Sequence, residues 1–294
     1  MRLTGSFTAL VTPFKDGGVD EEALRRLVDF QIENGTSGLV PCGTTGESAT
    51  LSHDEHDRVI DIVIEAAGGR VPVIAGTGSN STAETVRLTR HAAEAGADAA
   101  LLITPYYNKP TQRGLYEHYR SVAGEVSIPL ILYNVPGRTG VNMTAETVAR
   151  LSEIDNIIGI KEATADMAQV SDVIEYSREG FIVLSGDDAT TLSLLAVGGH
   201  GAVSVTSNVA PREMADMFRA FFEGDMEGAR RIHYRLQPLN RAMFMETNPI
   251  PVKTALSLMG MVEEEFRLPL TAMTGRARER LAAALRDFGI GPKE

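Results

Sequence analysis

Several features of secreted, membrane and metal-binding proteins are scarce in this chain. It has one cysteine, Cys42, in 294 residues, so it forms no internal disulfide, which is typical of a reducing cytoplasm. Residues 1–6 lack the apolar segment of a secretion signal, and no run approaches the roughly 18 uninterrupted apolar residues of a membrane span. The sequence therefore predicts a soluble, cytoplasmic protein with no membrane partner.

Positive charge and metal-ligand patterns are scarce as well. Lys and Arg number 28 against 39 Asp and Glu, which gives a net charge of −11, and the basic residues do not cluster. Such a chain binds nucleic acids and anionic membranes poorly. His53 and His56 lie three residues apart but lack a third ligand. We therefore expect no nucleic-acid partner and no bound metal.

Short apolar strands alternate with amphipathic helices along the first 224 residues. Their starts lie about 20 to 34 residues apart, the length of one strand–helix unit. Ser52 with Glu55, and Ser81 with Glu84, form predicted capping boxes at two helix starts. The predicted strands are 7–11, 38–41, 72–75, 99–104, 129–133, 157–161, 181–185 and 201–205. Eight such units predict a (β/α)8 TIM barrel, an α/β fold.

The strand pattern stops near residue 225. Three helical stretches follow, near 226–239, 250–259 and 269–287. The sequence therefore predicts a barrel over residues 1–224 and a C-terminal helical extension, 225–294, packed on the barrel. A doubly wound sheet is the alternative fold. It would need a phosphate-binding glycine pattern after the first strand, where residues 12–14 are Thr-Pro-Phe.

Lys161 is the most informative residue of the predicted barrel. Of five lysines, at positions 15, 109, 161, 253 and 293, only Lys161 ends a strongly apolar strand. The active sites of such barrels lie at the C-terminal ends of the strands. An amine held in an apolar interior gives up its proton more readily and favours Schiff-base formation with a carbonyl substrate. The alternatives are a lysine paired with Glu162 or one extended to the barrel rim.

Three further side chains lie where they can serve such chemistry. Tyr133 ends the fifth strand and Thr44 follows the second, so their hydroxyls can move protons during imine formation. Arg138, in a turn just beyond Tyr133, is suited to binding a carboxylate. The alternatives are a rim tyrosine with a satisfied hydroxyl and a solvated arginine.

Four motifs in these regions resemble a known family. They are 43–48 (GTTGES), 133–140 (YNVPGRTG), 158–162 (IGIKE) and 247–253 (TNPIPVK). They are similar to signatures of the dihydrodipicolinate synthase / N-acetylneuraminate lyase family, and the resemblance runs over essentially the whole chain. It is strongest to the synthase branch that serves bacterial lysine (diaminopimelate) biosynthesis.

The resemblance implies a class I aldolase-type enzyme that needs no cofactor. Lys161 would form an imine with pyruvate, and the enamine would attack L-aspartate 4-semialdehyde, after which the adduct would cyclise. Tyr133, Thr44 and Tyr107, the last from a neighbouring subunit, would form a proton relay within a homotetramer built as a dimer of dimers. The implied substrate-binding residues are Thr45 for the pyruvate carboxylate, Arg138 for the second substrate, Gly186, and Val203, where close relatives often carry Ile.

A second set of residues matches the lysine site of the feedback-inhibited synthases. The resemblance implies that L-lysine acts there as an allosteric inhibitor. The chemistry fits an amino acid, because a glutamate can pair with an ammonium and an amide can bind a carboxylate. The alternative is a set of ordinary helix-start residues. The matching residues are Ser48, Ala49, His53, His56, Asn80, Glu84 and Tyr106.

Two other functions compete with the synthase. Sialic acid lyases and keto-sugar-acid aldolases of the family share the lysine and the tyrosine, but Arg138 favours the synthase. A catalytically silent small-molecule sensor is the alternative from another class. The presence of Lys161, Tyr133 and Thr44 together argues against it.

Overall fold

The described chain, residues 3–291 of a computed structural model, divides into two units that each pack internally. The central unit contains residues 72–203 with Leu3 and Thr4. The terminal unit contains residues 5–71 and 204–291. No helix among the described residues is long and apolar enough to cross a membrane.

The terminal unit begins with two parallel strands and a small hairpin. Strand β1 pairs with β4, with Phe7 opposite Gly38. Strands β2 and β3 form an antiparallel hairpin that the sequence analysis missed, although its turn is Asp16-Gly17, both at positive φ. The elements are β1 (Gly5–Ala9), β2 (Phe14–Lys15), β3 (Gly18–Val19), α1 (Glu21–Glu33), β4 (Gly38–Val40), the 3-10 helix η1 (Ser48–Thr50) and α2 (His53–Ala67).

The central unit holds six parallel strands in the order β10-β9-β8-β7-β6-β5, of which β10 ends one residue past the unit's boundary. Its core lies between these strands and the helices that follow them, and includes Leu102, Tyr119, Leu130 and Val183. The elements are β5 (Ile74–Gly76), α3 (Thr82–Ala95), β6 (Ala99–Ile103), α4 (Gln112–Glu125), β7 (Leu130–Asn134), α5 (Pro136–Thr139), α6 (Ala145–Ser152), β8 (Ile157–Glu162), α7 (Met167–Tyr176), β9 (Ile182–Ser185), α8 (Thr191–Ala196) and β10 (Gly201–Ser204).

The rest of the terminal unit is helical, as predicted. Helix α10 packs against α9 and α12. The last helix begins at Gly275 instead of near 269, because Thr274, its N-cap, has an extended backbone. The elements are the 3-10 helix η2 (Thr206–Asn208), α9 (Pro211–Phe222), α10 (Met226–Met243), α11 (Ile250–Leu258) and α12 (Gly275–Phe288). The domain boundary at 224/225 stays a prediction.

The eight predicted strands are all present, and each end lies within two residues of its predicted position. The Ser52 capping box is complete, with both reciprocal hydrogen bonds. The predicted capping box at Ser81 is only half present. The Ser81 side chain caps α3, but its backbone N–H donates to Ser79 Oγ, and the Glu84 carboxylate accepts from the Ser79 hydroxyl. The Ser79 hydroxyl thus replaces the predicted hydrogen bond between the Ser81 N–H and the Glu84 carboxylate.

Candidate active site

Lys161 and Tyr133 meet at the carboxyl ends of neighbouring strands. Parallel strands β7 and β8 place Tyr133 opposite Lys161, and both side chains are 93% buried, with 7% exposed. Lys161 Nζ lies 4.0 Å from the centroid of the Tyr133 ring. A cation over an aromatic face is attracted to it and keeps a defined position. The structure therefore joins two residues that the sequence analysis selected separately.

Glu162 does not pair with Lys161, which removes one of the alternatives for that lysine. Successive side chains of a strand point to opposite faces. The Glu162 carboxylate instead accepts hydrogen bonds from Asn134 Nδ2 at 3.1 Å, Gln169 Nε2 at 3.1 Å and the Thr164 N–H at 2.9 Å. Burial raises the pKa of Glu162, and these hydrogen bonds oppose that rise.

The Glu162 network fixes the ends of the two strands that carry Lys161 and Tyr133. Asn134 lies opposite Glu162 in the sheet register, and its Oδ1 accepts from the Met143 N–H at 3.0 Å. This network was not predicted from the sequence. Its signal was a polar residue directly after both Tyr133 and Lys161, at the ends of otherwise apolar strands.

Gly186 leaves room for the Lys161 side chain. A Cβ at Gly186 would lie 3.0 Å from Lys161 Cε and 2.6 Å from the Ala163 Cβ. Both distances are shorter than ordinary carbon contacts. The absence of a side chain at Gly186 therefore leaves space for the Lys161 side chain. This packing role is separate from the substrate-binding role predicted for Gly186.

The other predicted site residues of the central unit differ in how far they are exposed. Val203 is buried in β10. Arg138 is exposed in the short helix α5. Tyr107 is 89% exposed and has a φ of 70°, the left-handed region that is uncommon for a tyrosine. Tyr107 is thus largely exposed on this chain.

Thr44 and Thr45 lie in the turn after β4, within the terminal unit. The Thr45 side chain is buried, and its Oγ1 accepts a hydrogen bond from Asn248 Nδ2 at 3.0 Å. Thr44 is partly exposed, and its carbonyl accepts from the Glu47 N–H at 3.2 Å. The turn is thus tied to the C-terminal extension, a connection that the sequence did not indicate.

The predicted lysine-site residues fall into one group in each unit. In the terminal unit, Ser48 and Ala49 lie in η1, and His53 and His56 in the first turn of α2. The second group lies in the central unit. There, Asn80 Nδ2 donates to the Tyr106 carbonyl at 3.1 Å, and Glu84 lies in the first turn of α3. Among the predicted residues, this hydrogen bond joins Asn80 and Tyr106.

Lys253 is the second buried lysine, and the sequence analysis did not expect its burial. Its side chain is fully buried, and Nζ donates to Glu47 Oε1 at 2.6 Å and to the Glu265 carbonyl at 2.8 Å. Lys161 Nζ, in contrast, contacts the face of an aromatic ring. The Lys253 nitrogen is therefore held in an ion pair, whereas the Lys161 nitrogen faces an aromatic ring.

Residues 3–291 contain no cluster of metal-ligating side chains. No group of three or more His, Cys, Asp or Glu side chains within that range could hold a metal ion.

Cys42 is buried, and burial raises the pKa of its thiol well above its usual range. The buried thiol is therefore a poor nucleophile.

Comparison with known proteins decides the family. The model of the dihydrodipicolinate synthetase family matches residues 2–288. A 4-hydroxy-tetrahydrodipicolinate synthase of Nitratidesulfovibrio vulgaris (strain DP4) is 61% identical over 291 residues, which are 99% of this chain and 100% of that protein. The chain belongs to the dihydrodipicolinate synthetase family. The resemblance found in the sequence motifs is thereby confirmed.

Solved structures of the family confirm the fold as well. The dihydrodipicolinate synthase of Aquifex aeolicus is 51% identical, with a TM-score of 0.97, over 99% of this chain and 100% of that one. Within residues 3–291, eight parallel strands alternate with helices. The predicted (β/α)8 TIM barrel is therefore confirmed, and the doubly wound sheet is excluded.

Two other family structures contain small molecules. The synthase of Acinetobacter baumannii, 49% identical with a TM-score of 0.96 over 98% of this chain and 99% of that one, is chloride-inhibited and complexed with pyruvate. The synthase of Cyanidioschyzon merolae, 43% identical with a TM-score of 0.95 over 98% of each chain, has lysine bound.

Proposed function

We propose that this family member is a 4-hydroxy-tetrahydrodipicolinate synthase, which condenses pyruvate with L-aspartate 4-semialdehyde through an imine at Lys161. The observation that carries the proposal is the buried Lys161 amine, 4.0 Å from the centroid of the Tyr133 ring at the ends of β7 and β8. The full-length similarity to a protein of that name supports it.

The proposed reaction uses the imine of Lys161 with pyruvate as a temporary electron sink. The Lys161 amine attacks the carbonyl carbon of pyruvate, and loss of water gives the imine. The imine acidifies the adjacent methyl group, which loses a proton to become an enamine. The enamine carbon bonds to the aldehyde carbon of the second substrate, whose carbonyl oxygen takes up a proton and becomes a hydroxyl while the imine is restored. The amine of that substrate then attacks the imine carbon. This last step closes the ring and releases Lys161, so no cofactor is required.

The remaining roles follow from the family resemblance. Tyr133, Thr44 and Tyr107 move protons, Thr45 binds the pyruvate carboxylate, and Gly186 and Val203 line the substrate site. Tyr107 would act in a neighbouring subunit of a homotetramer. The high exposure of Tyr107 on its own chain supports this role, because a side chain that enters a neighbouring subunit's site is not packed against its own chain.

A coupled assay tests the proposed activity directly. Purified protein is given pyruvate and L-aspartate 4-semialdehyde, with formation of the cyclic product followed by a dihydrodipicolinate reductase. Turnover with this pair, and none when N-acetylneuraminate or a keto-sugar acid is offered for cleavage, is the expected result. Cleavage of a sugar acid without condensation would favour the lyase branch, and no reaction at all would favour the sensor.

Replacement of Arg138 tests the choice of second substrate. A charge-assisted hydrogen bond to a carboxylate is lost in Arg138→Ala, so kcat/KM for aspartate semialdehyde should fall by roughly 10- to 100-fold. The change for pyruvate should be smaller. Arg286→Ala, which removes an exposed charge from α12, is the matched control. Equal losses for both substrates would contradict the role of Arg138.

L-lysine is the proposed inhibitor. Glu84 would pair with one of its ammonium groups, and the lysine-bound synthase of Cyanidioschyzon merolae supports the assignment. Millimolar L-lysine should lower the wild-type rate, with a coupling of about 1–3 kcal/mol. Glu84→Ala and His56→Ala should be less sensitive, while Glu94→Ala, on the exposed end of the same helix, should respond as wild type. An insensitive wild type, or variants with unchanged sensitivity, would contradict the assignment.

A further inference from the structure

The turn that carries Thr44 and Thr45 has a strained backbone. Cys42 and Glu47, on either side of it, have φ angles of 55° and 51°, in the left-handed region that non-glycine residues rarely adopt. The Gly46 N–H donates to the Gly43 carbonyl at 3.0 Å inside the turn. A backbone of this kind persists only when its surroundings hold it in place.

A fully buried ion pair holds one end of this turn. Glu47 Oε1 accepts from Lys253 Nζ at 2.6 Å, and neither side chain has any exposed surface. Lys253 lies in α11 of the C-terminal extension, and its Nζ also lies 4.2 Å from the centroid of the Phe14 ring. Burial lowers the pKa of Lys253, while the charge of Glu47 opposes that shift.

The segment just after α11 holds the same turn through a second residue, Arg267. Its backbone N–H donates to Glu47 Oε2 at 3.2 Å, and its Nη1 donates to the Thr50 carbonyl at 3.0 Å. Its guanidinium also binds the Glu55 carboxylate and holds the pKa of that group at about 2. Both oxygens of Glu47 are therefore engaged by the extension.

Stability alone is a poor explanation for this arrangement. Replacing a buried ion pair by apolar residues of similar volume is often neutral or stabilising, because the two charges lose their hydration. What an ion pair with additional hydrogen bonds supplies is a single geometry. Here the residue held in a single geometry is Glu47, two positions after Thr45.

We propose that Glu47 and Lys253 are positioning residues, which hold the Thr44-Thr45 turn in the conformation that pyruvate binding and proton transfer require. The C-terminal extension would thereby act on the active site through the buried Glu47–Lys253 pair. This inference rests on the proposed function, because it takes the roles of Thr44 and Thr45 from it.

The test uses the full-length double variant Glu47→Gln/Lys253→Met, which removes both charges and leaves neither alone in the interior. Borohydride trapping of pyruvate on the enzyme gives the half-saturating pyruvate concentration without the second substrate, and steady-state rates give kcat. Both are measured at a temperature well below the unfolding midpoint of each variant. Arg278→Met, which breaks the more exposed pair with Glu264 in the same extension, is the control.

Loss of the alignment of Thr45 should raise the half-saturating pyruvate concentration roughly 10- to 100-fold, the effect of a lost hydrogen bond to a charged group. The rate kcat should fall as well, and the control should change neither value. Glu47→Asp keeps the charge but shortens the side chain, so it should shift both values in the same direction even if the double variant does not fold.

Wild-type pyruvate dependence and kcat in a folded double variant would overturn the inference. With the double variant unfolded, wild-type values in Glu47→Asp would do so as well. A wild-type protein that does not trap pyruvate would overturn the proposed function instead, so the two failures are distinguishable.

Discussion

Replacing Lys161 with methionine should abolish condensation while leaving the fold intact. Methionine fills a similar volume beside Tyr133, but it has no amine to form the imine. Removal of a covalent nucleophile lowers kcat by roughly 10³- to 10⁶-fold, so the remaining rate should be close to the detection limit of the coupled assay. The thermal unfolding midpoint and circular dichroism spectrum serve as the check on folding.

Lys15→Met is the matched control for this variant. Lys15 lies exposed in the β2–β3 hairpin, so its loss removes the same charge without touching the proposed site. It should retain wild-type kinetics. A Lys161→Met protein that condenses the two substrates at a rate near that of the control would show that the reaction does not pass through Lys161.

The second large effect is expected from the two tyrosines of the relay. Tyr133→Phe and Tyr107→Phe each remove only a hydroxyl, so each should lower kcat by roughly 10²- to 10⁴-fold without unfolding the protein. Tyr176→Phe, at an exposed residue of α7, is the control and should have no effect. Unchanged rates in either relay variant would remove that tyrosine from the mechanism.

Mixed oligomers separate a relay within one chain from a relay between chains. If Tyr107 acts in a neighbouring subunit, then hybrids of Tyr133→Phe with Tyr107→Phe contain some sites with both native tyrosines. Unfolding and refolding a mixture of the two variants should therefore recover part of the wild-type rate. Hybrids that form, as shown by differently tagged subunits, yet stay inactive would place Tyr107 in its own chain or outside the reaction.

Local pattern was enough to predict the eight strands and Lys161. Each strand is a short apolar run, and the hydrogen bonds of a parallel sheet follow wherever such runs alternate with helices. Lys161 was identifiable because a charge at the end of the strand 157–161 contrasts with the apolar residues before it. Both inferences need only residues that are close together in sequence.

Contacts between distant residues could not be predicted in this way. Glu47 and Lys253 are separated by 206 positions, and nothing in the residues around either one identifies the other as its partner. Even at short range, the Glu84 carboxylate accepts from the Ser79 hydroxyl, and the Ser81 N–H donates to that same hydroxyl. Hydrogen-bond partners of polar side chains depend on the tertiary fold, whereas strand patterns depend on the local sequence.

The imine itself is the most direct test of the proposed reaction at Lys161. Borohydride is added to the protein in the presence of pyruvate, and the digested peptides are analysed by mass spectrometry. We expect one pyruvyl-derived mass on the peptide that contains Lys161 and none on the peptide with Lys253, whose amine is already bound by Glu47. An adduct on Lys253 or Lys109 instead, or no adduct at all, would contradict the central claim.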